Sequence, residues 1–343
     1  MRLQQIKQKL MNEEYNFLKD QKSLGDNIIL LTIGGSHAYG TDVETSDLDI
    51  RGIALNSKKE ILTMNCDNTP IVEKQTDTTI YFLKQIIRLL INANPNCIEI
   101  LGTKPEHLFI CTEEGKLLRD NAKIFLSKKA KHSFGGYATS QLRRLQNALA
   151  RDSYSQKEKE QHILGSIQNQ IEHFKMKYHQ ITSKNINLYI DKSCKKDFDE
   201  EIYIDMNLEH YPLRDLRSMY SDMLNVVKNY ENLNHRNNKK DELHLNKHAM
   251  HLIRLLIVGT EILEGKGINT YREKDRDLLL KIRNGEFVKQ KDGKNDYSLI
   301  FEMVNEYDKK FKYAAENTDL PDNPNYEAIN DLVSDINRRV LSR

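Results

Sequence analysis

The chain has 343 residues, 38% of them hydrophobic and 30% charged, with 52 basic against 50 acidic side chains and a formal net charge of +2. That length exceeds the usual single domain and predicts two, while the charge balance excludes a globally basic nucleic-acid binder, so any such contact must come from a local patch. The four cysteines, Cys66, Cys97, Cys111 and Cys194, form no C-x-x-C pair, which argues against a disulfide framework or cysteine zinc site and for a reducing compartment.

The opening segment, MRLQQIKQKLMNEEYNFLKDQ, lacks the apolar stretch of a secretory signal, and no apolar run reaches the ~20 residues that cross a bilayer. A cytoplasmic location without membrane contact is expected. Leu3, Ile6, Leu10 and Phe17 suggest an amphipathic helix. NIILLTIGG (27–35) reads as a buried strand running into a turn. SDLDIRGIAL (46–55) alternates Leu48 and Ile50 against Asp47 and Asp49, the period of a half-buried strand. A polar connection leads to a third strand, TTIYFL (78–83), and then to the helical pattern IIRLLINA, which Asn94-Pro95 breaks.

From about residue 115 the helical period dominates, with Leu142, Leu145 and Leu149 as a core stripe. INLYI (186–190) and EIYIDM (201–206) read as a short β excursion. Residues 211–230 are helical again, the polar stretch 232–242 is a loop or linker, and 244–265 is a long helix followed by further helices. The basic run HRNNKK (235–240) reads as a solvated loop.

The chemistry concentrates in GGSHAYGTDVETSDLDIRG, residues 34–52. A Gly-Ser turn presents backbone N–H groups and a hydroxyl, which can cradle phosphate oxygens. Asp47 and Asp49 fall on one face of their strand. Two crowded carboxylates repel unless a cation sits between them, and Mg²⁺ commonly binds through one or two carboxylates plus substrate phosphates. Arg51 returns to the same face, where it can pair with a carboxylate or contact a phosphate bidentately. His37 and Tyr39 flank the turn and read as loop packing.

This stretch resembles the G-S…D-x-D signature of the DNA polymerase β-type nucleotidyltransferase superfamily. AYG, the SD before Asp49 and the RG after it narrow the resemblance to the RlaP-like family of nucleotidyltransferases associated with RNA repair. NPNCIEIL (94–101), GGYATSQLRRL (135–145), YPLRDLR (211–217), KHAMHLIRLL (247–256) and LLLKIRNGE (278–286) are similar to later blocks of that family. The resemblance implies an α+β fold: a polymerase β-like mixed sheet with helices over residues 1–130, then a mainly helical nucleotide- and acceptor-binding region over 131–343. It implies that Gly35 and Ser36 hold the β- and γ-phosphates of an NTP such as ATP. Asp47 and Asp49 then bind Mg²⁺ or Mn²⁺, and a third carboxylate from the following strand completes the set. Asp77 is the choice for that ligand and general base, with Glu73 as runner-up.

Lys247, His251 and Arg254 stand at i, i+4 and i+7 and share a helix face. Beside the resemblance they read as a phosphate clamp that meets the departing pyrophosphate. His244, His248 and His251 crowd the same helix, but without an acidic or cysteine partner they make a poor zinc pattern. Tyr137, Gln141 and Arg144 form another such face, either a base and phosphate contact or a plain exposed surface.

The resulting expectation is an enzyme: a metal-dependent nucleotidyltransferase moving a nucleoside monophosphate from an NTP to a hydroxyl acceptor. An RNA end, tRNA-like or otherwise, is the favoured acceptor by family resemblance. Adenylylation of a protein or small molecule is one alternative; a non-catalytic nucleic-acid or protein binder retaining the fold is another.

Overall fold

A computed structural model describes residues 3–64, 69–153, 185–194, 200–235, 242–291 and 294–342, with Gln161, Leu164, Gln168, Ile171 and Tyr178. Cys66 and most of the basic run 235–240 lie outside the described residues. The N-terminal amphipathic segment forms two short helices, α1 (Leu3–Lys9) and α2 (Phe17–Asp20), rather than one. Ile6 is buried, and Leu3, Leu10 and Phe17 pack against the same core.

β1 (Ile28–Ile33) is buried at every position, as its nearly continuous apolar run requires, and the one polar residue, Thr32, donates its hydroxyl to the His107 carbonyl at 3.0 Å. A short helix, α3 (Gly35–Tyr39), follows where the sequence shows the Gly-Gly-Ser turn. β2 spans Ile50–Ala54 and α4 spans Lys58–Leu62, the latter opened by a Ser57/Glu60 capping box. β3 (Ile71–Glu73) and β4 (Thr78–Phe82) lead into α5 (Leu83–Ile91), whose Leu83, Ile86, Ile87 and Leu90 form the buried face. α5 ends before Asn94, which caps α6 (Pro95–Leu101) with Pro95 at its first turn. β5 (Leu108–Cys111), α7 (Glu113–Asp120) and the long α8 (Lys129–Ser153) complete this half.

Among the described residues the main sheet has the order β3-β4-β2-β1-β5. β2 and β4 run parallel, while β1 pairs antiparallel with β2 and β5, and β3 antiparallel with β4. This mixed sheet with its helices is the α+β architecture that the resemblance implies. β3 and β5 were not legible in the sequence: one has three residues and the other four.

The rest of the chain comprises the hairpin β6 (Ile186–Lys192) and β7 (Glu200–Met206), then α9 (Leu213–His235) and α10 (Glu242–Leu263). α11 (Arg276–Arg283), the small hairpin β8 (Lys289–Lys291) and β9 (Lys294–Asp296), α12 (Ser298–Glu316) and α13 (Tyr326–Ser342) follow. α9 extends to His235, into the stretch expected to be a loop.

The compact units do not follow the expected division at residue 130. One contains Met1–Arg143 together with Glu242–Arg343; the other is Arg144–Asp241. The reason is visible in the returning chain. The backbone N–H of Lys128 donates to Pro321 and that of Asn325 to Ile124, and Gly259 of α10 lies so close to Phe134 and Phe311 that a Cβ there would collide. The C-terminal helices therefore share a unit with the sheet. The second unit has its own small core of Ile171, Ile186, Met219 and Met223, with Leu188, Ile202 and Tyr211 packed against it. Among the described residues, no helix is long and apolar enough to cross a membrane.

Candidate active site

Sheet register brings the acidic residues together. Ile33 at the end of β1 pairs with Ile50 at the start of β2, and Ile50 pairs in parallel with Thr78 at the start of β4. The end of one strand and the beginnings of two others thus meet at one edge. Asp49 and Asp77 are the residues immediately before β2 and β4. Gly34 N–H donates to the Asp49 carbonyl at 2.8 Å, and Ile50 N–H donates to the Asp77 carbonyl at 3.1 Å. Asp77 adopts φ of +43°, a left-handed conformation that Asp tolerates better than most residues.

The strand expected from residue 46 begins only at Ile50, yet the alternation holds upstream. Leu48 and Ile50 are buried, Asp49 is half-buried and Asp47 is exposed. Glu73 stands at the same edge, opposite Thr78. Its carboxylate accepts the backbone N–H of Gln75 at 3.2 Å, one strand further out than Asp77.

Gly35 is required twice over. Its φ is +55°, and a Cβ there would lie 1.9 Å from Oδ2 of Asp49. The glycine turn and the carboxylate therefore touch. Ser36 is buried at 7% exposure, and its carbonyl accepts the backbone N–H of Thr41.

Arg51 binds the two acids to each other. Its Nη2 lies 2.8 Å from Asp49 Oδ1 and 3.3 Å from Asp77 Oδ1, and its Nη1 donates to the Asp77 carbonyl at 2.6 Å. Of the two roles the sequence allows for Arg51, the structure shows the ion pair. Even so, the Asp49 carboxyl is pushed up to about 6: burial raises it most, Arg51 pulls it back, and Asp77 within hydrogen-bonding reach raises it again. Lys247 on α10 is exposed and near enough to favour the Asp49 carboxylate.

Among the described residues, no three His, Cys, Asp or Glu side chains converge as a ready-made metal cage. The pair Asp49 and Asp77 nonetheless fits a hard divalent cation. Its oxygens crowd one edge, and burial, with Asp77 beside it, raises the Asp49 carboxyl more than Arg51 lowers it, so a cation there would favour the carboxylate. A cation that takes one or two carboxylates and completes its shell with water and phosphate matches that donor set.

The proposed clamp on α10 needs correction. Only Lys247 of the three is exposed. Arg254 is 3% exposed, pairs with Glu99 Oε1, and lies 3.7 Å from the ring centre of Tyr39. Tyr39 donates from its hydroxyl to Glu99 Oε2 at 2.7 Å. Burial disfavours the Arg254 charge, but Glu99 and Tyr39 more than offset it. His251 sits edge-on to Tyr39 and is pushed well below its ordinary pKa by desolvation and by Arg254 and Lys247, so it supplies no cation. The physical reason is that α10 is buried at every position from Leu252 to Gly259. A helix segment apolar all round has no solvent face for a charged stripe to occupy.

Sequence reasoning missed Glu99, whose signal was a lone acid in the apolar stretch NPNCIEIL. On the other expected face, the Tyr137 hydroxyl is 3.4 Å from Asn94 Nδ2 and Gln141 is 3.1 Å from His248 Nδ1. Arg144 is exposed and begins the second unit.

The model of the RNA repair pathway DNA polymerase beta family, RlaP, matches residues 3–335. An uncharacterized 38.9 kDa protein encoded in the nrdC-mobD intergenic region of Enterobacteria phage T4 is 29% identical over 119 residues. That match spans 31% of this chain and 35% of the phage protein, about a third of its length. No solved structure matches the chain. With a mixed sheet that places Gly35, Asp49 and Asp77 at one edge and a family match running almost end to end, the chain belongs to the RNA repair pathway DNA polymerase beta family.

Proposed function

We propose that this protein transfers a nucleoside monophosphate from an NTP to a hydroxyl acceptor with the help of Mg²⁺ or Mn²⁺, an RNA end being the favoured acceptor. The observation that carries this reading is the contact between Gly35, Asp49 and Asp77 at one sheet edge, with Asp49 short of positive charge. Asp47 and Asp49 would hold the cation and Asp77 would complete its ligands. When bound, the cation neutralises phosphate charge as a Lewis acid.

The chain's own groups do the rest. Gly35 leaves the backbone open beside the carboxylates, so that the turn with Ser36 can seat the β- and γ-phosphates. The acceptor oxygen forms a bond to the α-phosphorus while the bond to the pyrophosphate oxygen breaks, and that oxygen leaves with the bonding electrons. The hydroxyl proton passes to the Asp77 carboxylate, which is more than half exposed and so accessible to an acceptor. Lys247, the exposed cation of α10, is suited to meet the departing pyrophosphate.

The near-neutral net charge of +2 favours a second reading, in which the acceptor is a protein or small molecule rather than long RNA. One experiment separates these. The full chain is incubated with each α-labelled NTP, Mg²⁺ or Mn²⁺, and total RNA or protein extract. Label should enter RNA in the unaltered chain and fall by roughly a thousandfold in Asp47→Asn and Asp49→Asn, since metal-stabilised charge contributes several kcal/mol. Label in protein would select the second reading, and undiminished transfer by both variants would refute the site.

A further inference from the structure

Residues 41–49 connect the glycine turn to Asp47 and Asp49 without forming a helix or strand. Local hydrogen bonds shape this loop only in part. Thr41 N–H donates to the Ser36 carbonyl, Ser46 N–H to the Val43 carbonyl, and Val43 N–H to Ser46 Oγ at 2.9 Å. His37 Nδ1 also lies 3.3 Å from Asp42 Oδ2, and further constraints come from far away in the sequence. On α11, Arg276 and Arg283 stand at i and i+7 and share a face. Arg276 Nε donates to the Gly40 carbonyl at 2.7 Å. Arg283 donates from Nη1 to the Thr41 carbonyl at 2.6 Å and from Nη2 to Ser46 Oγ at 2.9 Å.

Arg283 is only 9% exposed. Burying a guanidinium is costly unless its donors are satisfied. Here the planar fork spans two acceptors five residues apart in the loop, a geometry that a lysine's single ammonium does not reproduce. The second of those acceptors belongs to the residue immediately before Asp47. We propose that Arg283 is a positioning residue: by stapling Thr41 to Ser46 it fixes where the loop delivers Asp47 and Asp49, and hence how well they bind a divalent cation. This inference rests on the metal reading given above. It adds that α11, more than 230 residues downstream of the loop in sequence, sets the geometry of the metal ligands.

The test is Mn²⁺ binding by the full chain, followed through the free Mn²⁺ electron paramagnetic resonance signal, with circular dichroism and melting temperature measured alongside. Groups that orient metal ligands typically change affinity by about 10- to 100-fold when altered. Arg283→Lys should therefore weaken Mn²⁺ binding about tenfold. Ser46→Ala, a mild change that keeps the fold testable if Arg283→Lys does not fold, should weaken it by roughly threefold. The double variant should be no weaker than Arg283→Lys alone, because both act through one contact. A purely structural role would lower the melting temperature and leave Mn²⁺ affinity at the unaltered value, which would overturn the inference. Asp49→Asn separates the two failures. If it abolishes Mn²⁺ binding while Arg283→Lys and Ser46→Ala do not change it, only the positioning role falls. If the unaltered chain binds no Mn²⁺, or binds it equally well as Asp49→Asn, the metal reading falls and takes this inference with it.

Discussion

Arg51 and Arg254 each meet a carboxylate within the unit built on the main sheet, and their settings are opposite. Arg51 lies at an open sheet edge between two acids, with the Asp49 side chain 20% exposed and that of Asp77 55% exposed. Burial raises the Asp49 carboxyl most, and one guanidinium shared with Asp77 does not offset it, so Asp49 stays pushed up to about 6. Arg254 lies in a closed pocket where the guanidinium pairs with Glu99 and stacks on Tyr39, the Arg254 and Glu99 side chains being 5% exposed or less, although Arg254 Nε is buried without a hydrogen-bond partner. The open pair has an unmet demand for positive charge, which a substrate-bound cation can fill. The closed pair has none, and its worth is the attachment of α3, α6 and α10 to one another. Similar residue types are thus left open to a ligand in one place and enclosed in tertiary structure in the other, and the deciding variable is how accessible each pair is from outside.

The largest effect expected from this contrast is on the closed pair. Arg254→Ala leaves Glu99 buried without its cation, and breaking a buried pair from one side typically costs about 3–5 kcal/mol. Urea denaturation should show that loss, with the midpoint well below that of the unaltered chain. Transfer per folded molecule should stay within a few-fold of normal. The comparison breaks if Arg254→Ala keeps its stability and instead raises KM for the NTP tens of times, because Arg254 would then belong with the triphosphate.

This is also where the sequence misled. Lys247, His251 and Arg254 do share a face by helical arithmetic, but the residues around Arg254, namely Leu252, Ile253 and Leu255–Gly259, are apolar on nearly every side of the helix, and burial followed from that second fact. The sheet edge was legible because it depends on short-range pattern. Period-2 alternation placed Leu48 and Ile50 inward, and TTIYFL identified the strand that Asp77 precedes. What stayed hidden depends on distant partners. Arg283 reaches Thr41 across 242 residues of chain, and nothing near either residue signals the other. The polar β8–β9 hairpin lacks an apolar alternation to betray it, since β8 is exposed throughout.

A smaller effect is expected at the open pair, and its sign follows from the raised carboxyl. Asp49 titrates near 6 in the fold against an ordinary value of 3.8. Between those values the folded chain holds more protons than the unfolded one, so stability falls as pH rises from about 4 to about 6 and the full deficit persists above that. Asp49→Asn removes the charge that the fold tolerates poorly. In EDTA the variant should be more stable than the unaltered chain by about 1–2 kcal/mol at pH 8, with the advantage shrinking towards pH 4. Adding Mn²⁺ at pH 8 should raise the melting temperature of the unaltered chain and leave that of the variant nearly unchanged. A variant that melts lower at pH 8 than the unaltered chain would mean that Arg51 already meets the demand for charge, and the two arginine sites would no longer differ in kind.

The smallest effect belongs to Lys247, which shares a helix with Arg254 but stands on the open side of the contrast. It is exposed, and its influence on Asp49 ranks behind burial, Arg51 and Asp77. Exposed charges typically contribute about 0–1 kcal/mol to a pairwise contact, so Lys247→Ala should leave the melting temperature within a degree or so. Opposite a triphosphate, the same charge gains from the several negative oxygens it faces, and a loss of about 1 kcal/mol corresponds to roughly fivefold in kcat/KM for the NTP. Because the site is solvent-facing, salt should screen that contribution within a Debye length of about 8–10 Å. The ratio of unaltered to variant kcat/KM should therefore fall towards one as KCl rises from low ionic strength to several tenths molar. Lys247→Arg, which keeps the charge, should retain most of the activity. A Lys247→Ala deficit that is independent of salt would assign the residue a packing role like that of Arg254, and equal kcat/KM at all salt concentrations would remove α10 from contact with the nucleotide altogether.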